Sequence, residues 1–373
     1  MRSMILAGLV LGACATTAEA QYVRCWGAGK QTSGGSYQFG QSIVPPDLGY
    51  VIGVDGGLLH SVAVSEKGIV RCWGAGTTNN PSAANGFTEY GQSMVPTDLG
   101  TVVAVAAGYL HTVSLDAGGV VRCWGSNSSG QCTVPGNLGT SSAIAASAFG
   151  TMALTSVGTV RTWGNLGSAL GGVYGATAIA AGAGHVMALK TNGRVVCDGD
   201  NANSQCQVPF DLGTARAIAA GSYHSMALLT DGTVRCWGSN SFGERVIPVD
   251  LEPVSAIAGG EYYSVALLAD GTVRAWGRDD LGQCMVPPGL GSVSAVSGGI
   301  FHVIAIASEP SPPCPADFNG DYFVEGYDLG VLLSEWGPCI TGAPSCRADL
   351  DGNGIVDGDD LGSFLGAWGR CRD

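Results

Sequence analysis

One pentapeptide, Val-Arg-Cys-Trp-Gly, recurs at 23–27, 70–74, 121–125 and 234–238, with variants at 160–164, 195–199 and 273–277. A second phrase, His-x-x-Ala-Leu or close to it, starts at His60, His111, Thr151, His185, His224, Tyr263 and His302, and its last three intervals are 39 residues each. A chain that repeats itself in this way builds one supersecondary unit many times over. A single unit cannot bury its own apolar face and must stack on its neighbours.

Each unit reads as four short strands. The first is small and β-branched, as in Ala217-Ile218-Ala219-Ala220-Gly221, and the second is Ser225-Met226-Ala227-Leu228. A hairpin turn follows at Asp231-Gly232, where glycine accepts positive φ. The third strand is Val234 to Trp237, and a Val-Pro or Ile-Pro segment supplies a fourth strand, placed at the outer edge because proline lacks an N–H. Units of this kind predict an all-β, seven-bladed β-propeller. The seventh blade is split: His302 to Ala307 and Val23 to Trp26 come from opposite ends of the chain, and their pairing closes the ring without a free edge.

The remaining composition fits a turn-rich protein. The 60 glycines follow no Gly-x-y period, 46% of residues are hydrophobic, and only 13% are charged. The net charge of −13 argues against nucleic acid as a partner. It is concentrated in residues 314–373, which hold 11 Asp/Glu against three Arg. Thirteen cysteines with no Cys-x2-Cys pair suit an oxidising compartment better than a zinc site. Arg2, the apolar run Met4 to Val10 and Ala18-Glu19-Ala20 predict a signal peptide over residues 1–20 and a secreted or cell-surface protein. Leu11-Gly12-Ala13-Cys14 supports the alternative of a lipoprotein anchored at Cys14. No later stretch is apolar for long enough to span a membrane.

The composite phrase Gly-x-x-His-Ser-x-Ala-Leu…Asp-Gly-x-Val-x-x-Trp-Gly-x-Asn-x-x-Gly-Gln resembles the regulator-of-chromosome-condensation repeat over residues 21–307. The resemblance implies a seven-bladed propeller. The eukaryotic founder of that family exchanges guanine nucleotide on a nuclear GTPase, and secreted bacterial members include inhibitors of β-lactamase. An acidic, exported chain fits the second setting.

A Pro-rich linker, residues 308–313, leads to a second repeat over residues 314–373. Cys314 and Asp317 correspond to Cys346 and Asp349, and Trp336 and Cys339 to Trp368 and Cys371. Each copy holds a 12-residue acidic loop. In the first, oxygen ligands fall at Asp317, Asn319, Asp321, Glu325 and Asp328, with the Phe323 carbonyl at the seventh position. In the second they fall at Asp349, Asp351, Asn353, Asp357 and Asp360, with the Ile355 carbonyl. Alternating oxygens in a tight loop are what calcium requires. Gly354 meets the sharp turn at the sixth position and Tyr322 does not, so the loop at 349–360 is expected to bind more strongly. One short helix follows each loop, with Leu329, Leu332, Leu333 and Trp336, then Leu361, Phe364, Leu365 and Trp368, on one face. This small α-helical paired-calcium-loop domain resembles a type I dockerin. The resemblance implies calcium-dependent docking on a cohesin-like partner, although Gly326-Tyr327 and Gly358-Asp359 stand where clostridial dockerins favour Ser-Thr.

The five histidines share one repeat position and are read as buried and bonded to backbone, since separate blades cannot converge them on a metal. The repeated tryptophans are read as blade packing. Cys123–Cys132 and Cys197–Cys206 can close within a unit, while Cys25, Cys72, Cys236 and Cys284 can pair between blades. In the tail, Cys314–Cys339 with Cys346–Cys371 is one arrangement, and a Cys314–Cys371 clasp is another. Enlarged loops at Ala28 to Gln41 and Ala75 to Gln92 place Tyr37, Phe39, Phe87 and Tyr90 on adjacent blades as candidate partner anchors. No catalytic motif is present. The expectation is a monomeric, exported, non-enzymatic binding scaffold for an extracellular protein or glycan. The alternatives are a polysaccharide-acting enzyme and, less favoured, nucleotide exchange on a GTPase.

Overall fold

The computed structural model describes residues 21–30, 37–78, 89–167, 169–249, 251, 253–308, 315–318, 323–324, 326–339 and 346–370. The chain divides into two compact units, residues 1–286 with 292–308 and residues 287–291 with 309–373. The expected signal peptide lies outside the described residues, as do Phe87, Asn319, Asp321, Glu325, Cys314 and Cys371.

The first unit consists of seven antiparallel three-stranded sheets. Blade 1 is Val51–Gly56, His60–Ser65 and Val70–Gly74; blade 2 is Val102–Ala107, His111–Asp116 and Val121–Gly125. Blade 3 is Ser141–Ala146, Gly150–Thr155 and Val160–Gly164; blade 4 is Ala176–Ala181, His185–Lys190 and Val195–Gly199. Blade 5 is Ala215–Ala220, His224–Leu229 and Val234–Gly238; blade 6 is Val254–Gly259, Tyr263–Leu268 and Val273–Gly277. Blade 7 joins Val293–Gly298 and His302–Ser308 to the N-terminal strand Gln21–Gly27. The expected pairing of the chain ends is present, with Val23 opposite Ile306, Cys25 opposite Ile304 and Trp26 opposite Val303. Inner strands of successive blades pack side by side, and that of blade 1 packs on blade 7.

Among the described residues no fourth strand forms. The Val-Pro segments are turns, with Val134 N–H bonded to Cys132 O and Leu138 N–H to Pro135 O, and the same pattern recurs at Val208 and Leu212. Proline removes one ladder donor, and these short-range bonds consume the neighbouring N–H groups.

Apolar side chains fill the spaces between blades. One such cluster joins Met187, Leu189 and Val195 of blade 4 to Ile218, Ala227 and Trp237 of blade 5. Alternation explains the small inner-strand residues: one face of each sheet meets the preceding blade and the other meets the following one, and space shrinks toward the axis.

Among its described residues the second unit has two nine-residue helices, α1 (Gly326–Ser334) and α2 (Gly358–Gly366). Short ladders pair Phe323–Val324 with Gly369–Arg370 and Gly337–Pro338 with Ile355–Val356. Its core is Ala316, Val324, Leu332, Ala348, Val356 and Phe364. A Cys339–Cys346 disulfide excludes the Cys314–Cys339 arrangement.

Candidate functional site

The repeat position of the histidines is a structural joint. Each imidazole is buried, and its Nε2 bonds a hydroxyl on the following blade: His60 with Thr112 at 3.0 Å, His111 with Thr151 at 3.1 Å, His185 with Ser225 at 3.0 Å, His224 with Ser264 at 3.0 Å and His302 with Ser61 at 2.8 Å. The expected backbone partner is thus replaced by a side chain. Each hydroxyl in turn donates to a carbonyl, for example Ser264 to Glu244 O and Ser225 to Gln205 O, both at 2.8 Å. That carbonyl also receives a tryptophan indole, Trp276 at 3.0 Å and Trp237 at 2.9 Å. The hydroxyl has one proton and spends it on the carbonyl, so Nε2–H is the donor and Nδ1 is the bare nitrogen. All five Nδ1 atoms are buried without a partner. Burial lowers these pKa values, to about 3 for His60 and His302 and about 4 for His111, His185 and His224.

The junction between blades 3 and 4 shows why the parts belong together. Gly150, not Thr151, occupies the histidine position there, since it begins the middle strand and pairs with Gly164 as His224 pairs with Gly238. The next-blade hydroxyl is replaced by Val186, the tryptophan by Asp198 and the acceptor glutamine by Leu170, whose N–H bonds Asp198 at 2.9 Å. Elsewhere the residue three before the histidine is glycine, because a Cβ on Gly221 would lie 2.1 Å from His224 Cε1. In blade 3, which has no imidazole, that residue is Ser147. Blade 6 solves the same problem with Tyr263, whose hydroxyl lies 2.7 Å from both Gly299 O and His302 O and offers them its single proton, while the next blade carries Val303.

Two intra-blade disulfides form as expected, Cys123–Cys132 and Cys197–Cys206. Cys25, Cys72, Cys236 and Cys284 are free thiols and do not pair between blades. The reason is positional: the residue that would complete each repeat disulfide is Ser42, Ser93, Arg245 and Ala275, respectively.

A candidate binding surface lies at the blade ends where the middle strands begin. Arg278 bridges Glu261 and Asp280, both at 2.7 Å, and its guanidinium lies 5.4 Å from the Phe242 ring and 5.7 Å from that of Phe301. Burial pushes the Glu261 carboxyl up, and the Arg278 charge opposes the shift. Tyr223 stacks on Tyr262 at 5.1 Å, Phe242 lies 5.0 Å from Tyr262, and Tyr37 packs on Phe301 at 4.3 Å. Tyr37 and Phe242 keep 40% and 50% of their surface exposed. Phe39 is half-buried beside Phe301 and Leu59, and Tyr90 is half-buried too. Sequence reasoning named Tyr37 and missed Tyr109, Tyr223, Phe242, Glu261, Tyr262, Arg278 and Phe301. For Tyr109, Tyr223, Glu261, Tyr262 and Phe301 the available signal was the residue pair just before each histidine position, which varies strongly between units.

These end loops surround an axial cavity of about 140 Å³. Its layer of inner-strand residues is Ala106, Ala145, Ala180, Ala219 and Ala258 in five blades, with Asp55 in blade 1 and Ser297 in blade 7. Asp55 accepts from Ser297 Oγ, from Gly56 N at 3.0 Å and from Ala107 N at 2.8 Å, and so links three blades. Burial raises its pKa to about 6, against the lowering effect of these three donors.

In the second unit, Asp349, Asp351 and Asp360 bring carboxylate oxygens within 4.8 Å of one another. Asp349 Oδ2 accepts from Gly354 N at 2.9 Å, while its Oδ1 is buried with no partner. Gly354 takes φ +87°, as the tight turn requires. Asp360 accepts from Leu350 N and Asp357 N, and Asp328 accepts from Phe318 N in the same way in the first loop. Asp357 caps α2 through Asp359 N, and Asn353 bonds Asp351 and Ile355 N. Asp317 is buried, and Phe323 lies in the short ladder. Three converging carboxylates with an orphaned buried oxygen fit a hard divalent cation. Each helix leaves about half of a leucine and a tryptophan exposed, Leu333 and Trp336 on one side and Leu365 and Trp368 on the other.

Residues 102–131, 176–205, 215–244 and 254–283 match the family model of the regulator of chromosome condensation (RCC1) repeat. The unmatched blades are those with enlarged loops, the missing histidine or the split sheet. Saccharomyces cerevisiae Prp20p is similar in structure at a TM-score of 0.64 and 18% identity, over 79% of this chain and 93% of that one. Yeast RCC1 (Prp20) bound to Kap60 gives 0.64 at 20% identity, over 83% and 91%. Human WBSCR16 gives 0.59 at 18%, over 79% and 100%. No curated protein matches the sequence at a significant level. Four of its units thus match the RCC1 repeat, and its fold is similar to that of the RCC1 propellers.

Proposed function

We propose that this chain is an exported, non-enzymatic binding scaffold, with a propeller face that recognises a protein or glycan and a calcium-held, dockerin-like tail that docks or anchors it. The carrying observation is the face around Arg278, where Tyr37 and Phe242 are exposed over a base fixed by two ion pairs and ring contacts. Rigid aromatic and arginine side chains are the usual anchors of interfaces. Prp20p, whose fold is similar, is described as binding Gsp1p and histones, which supports a protein partner for this face.

Calcium would be held by Asp349, Asp351 and Asp360, with Asn353, Asp357 and the Ile355 carbonyl completing the loop, and by the corresponding residues from Asp317 to Asp328. When bound, the ion supplies the charge that lets these carboxylates converge and fixes the helix that follows. Leu333, Trp336, Leu365 and Trp368 suit docking on a cohesin-like partner.

A polysaccharide-cleaving centre needs two convergent carboxylates. Among the described residues lining the axial cavity, Asp55 is the one carboxylate. The scaffold reading is tested by probing immobilised full-length protein against glycan arrays and purified secreted proteins, alongside Tyr37→Ser/Phe242→Ser protein. Loss of the captured partner in the double variant supports the reading. Undiminished capture, or hydrolysis of an arrayed polysaccharide, overturns it.

A further inference from the structure

The axial cavity carries a carboxylate that the architecture does not require. Five of the seven blades place alanine at the level of Asp55, and their junctions hold without a carboxylate. The wall at that level is formed by the small residues Ala106, Ala145, Ala180, Ala219 and Ala258. Tyr109 of blade 2 and Ser222 of blade 5, three blades apart, both line the cavity at this end. The other blades have no aromatic residue at that position. Both departures from the repeat thus fall on one cavity. Asp55 Oδ1 receives Ser297 and Gly56, whereas Oδ2 receives Ala107 N alone and keeps acceptor capacity on a side chain partly open to the cavity.

We infer that this cavity binds a primary alkylammonium group, with its charge against Asp55 Oδ2, its alkyl chain along the alanine wall and the Tyr109 ring above it. The volume of about 140 Å³ suits a chain of a few carbons, since a void of about 150 Å³ accepts a benzene-sized molecule. A carboxylate largely removed from water is costly when alone and gains when a cation pairs with it. The tyrosine face adds attraction for the same charge. Calcium is a poor match, because it takes about six to eight oxygens and one carboxylate lines the described wall. An anion meets the Asp55 charge directly. This site is independent of what the outer face docks.

The test uses full-length protein at neutral pH and constant calcium, titrated calorimetrically with n-butylammonium, 1-butanol and butyrate. Saturable n-butylammonium binding, about tenfold or more tighter than 1-butanol and with none for butyrate, is the expected result. Asp55→Asn should remove the preference for amine over alcohol, and Tyr109→Ala should weaken amine binding. Competition by Nα-acetyl-lysinamide assigns the group to a polypeptide side chain, and lack of competition assigns it to a free amine. Should Asp55→Asn fail to fold, the amine-to-alcohol ratio in the unaltered protein decides. Absence of saturable amine binding, equal affinity for amine and alcohol, or an Asp55→Asn protein that retains the preference overturns the inference.

Discussion

Acidification should dismantle the propeller through its five buried imidazoles. Their folded pKa values, about 3 to about 4, lie below the ordinary value, about 6.5, that they regain on unfolding. Above about pH 6.5 both states are neutral and the joints are at full strength. Below it the unfolded chain binds protons that the folded chain refuses, so stability falls as pH falls. At about pH 5 each unfolded imidazole holds nearly one proton and each folded one about a tenth or less. Asp55 works against this trend. Its folded pKa of about 6 exceeds the unfolded value, so it holds a proton near pH 5 that the unfolded chain has released. The net difference is about four protons, or a slope of about 5 kcal/mol per pH unit. Between about pH 6.5 and about pH 5 the loss reaches about 7 kcal/mol, comparable with the whole stability of many domains. Urea unfolding followed by tryptophan fluorescence across this range, with proton uptake measured in weakly buffered solution, checks both numbers. A stability flat in pH, or uptake below about one proton, refutes the reasoning.

Four further outcomes follow from named contacts. Ser264→Ala leaves the His224 N–H without its acceptor and should cost about 1–3 kcal/mol in denaturant unfolding. Gly221→Ala should destabilise more, and His224→Gly should relieve much of that loss in a double-mutant cycle, because the added Cβ meets the imidazole. Ala275→Cys should form a disulfide with Cys284 and raise stability by about 2–3 kcal/mol, as expected for a nine-residue separation; thiol titration should show Cys284 lost. Chelation of calcium should unfold the tail and leave the propeller's tryptophan signal unchanged, and Asp349→Asn should weaken calcium uptake in calorimetry.

The blades were legible because each needs the same Val-Arg-Cys-Trp-Gly strand, and their closure because that strand and its hairpin partner fall out of phase at the chain ends. The fourth strand was not, since a Val-Pro segment scores as an edge strand whether or not its N–H groups find short-range acceptors. Thr151 was aligned one residue late because Gly150 shares no chemistry with histidine. Only the loss of Trp, Gln and hydroxyl at the same junction reveals the correct register. The Arg278 surface was illegible because its members come from loops of blades 5, 6 and 7 and the N-terminal insertion, each unremarkable alone. Asp55 was visible as a lone carboxylate in a strand whose counterparts are alanine, but its position in the axial layer appears only once the register is known.

Amide hydrogen exchange of Gln21–Gly27 is the most direct test of the propeller's construction. If these residues form the outer strand of blade 7, their protection should equal that of Val234–Gly238 in the continuous blade 5 and of their partner His302–Ser308. Exchange of Gln21–Gly27 at the rate of an unstructured chain, with His302–Ser308 still protected, contradicts it.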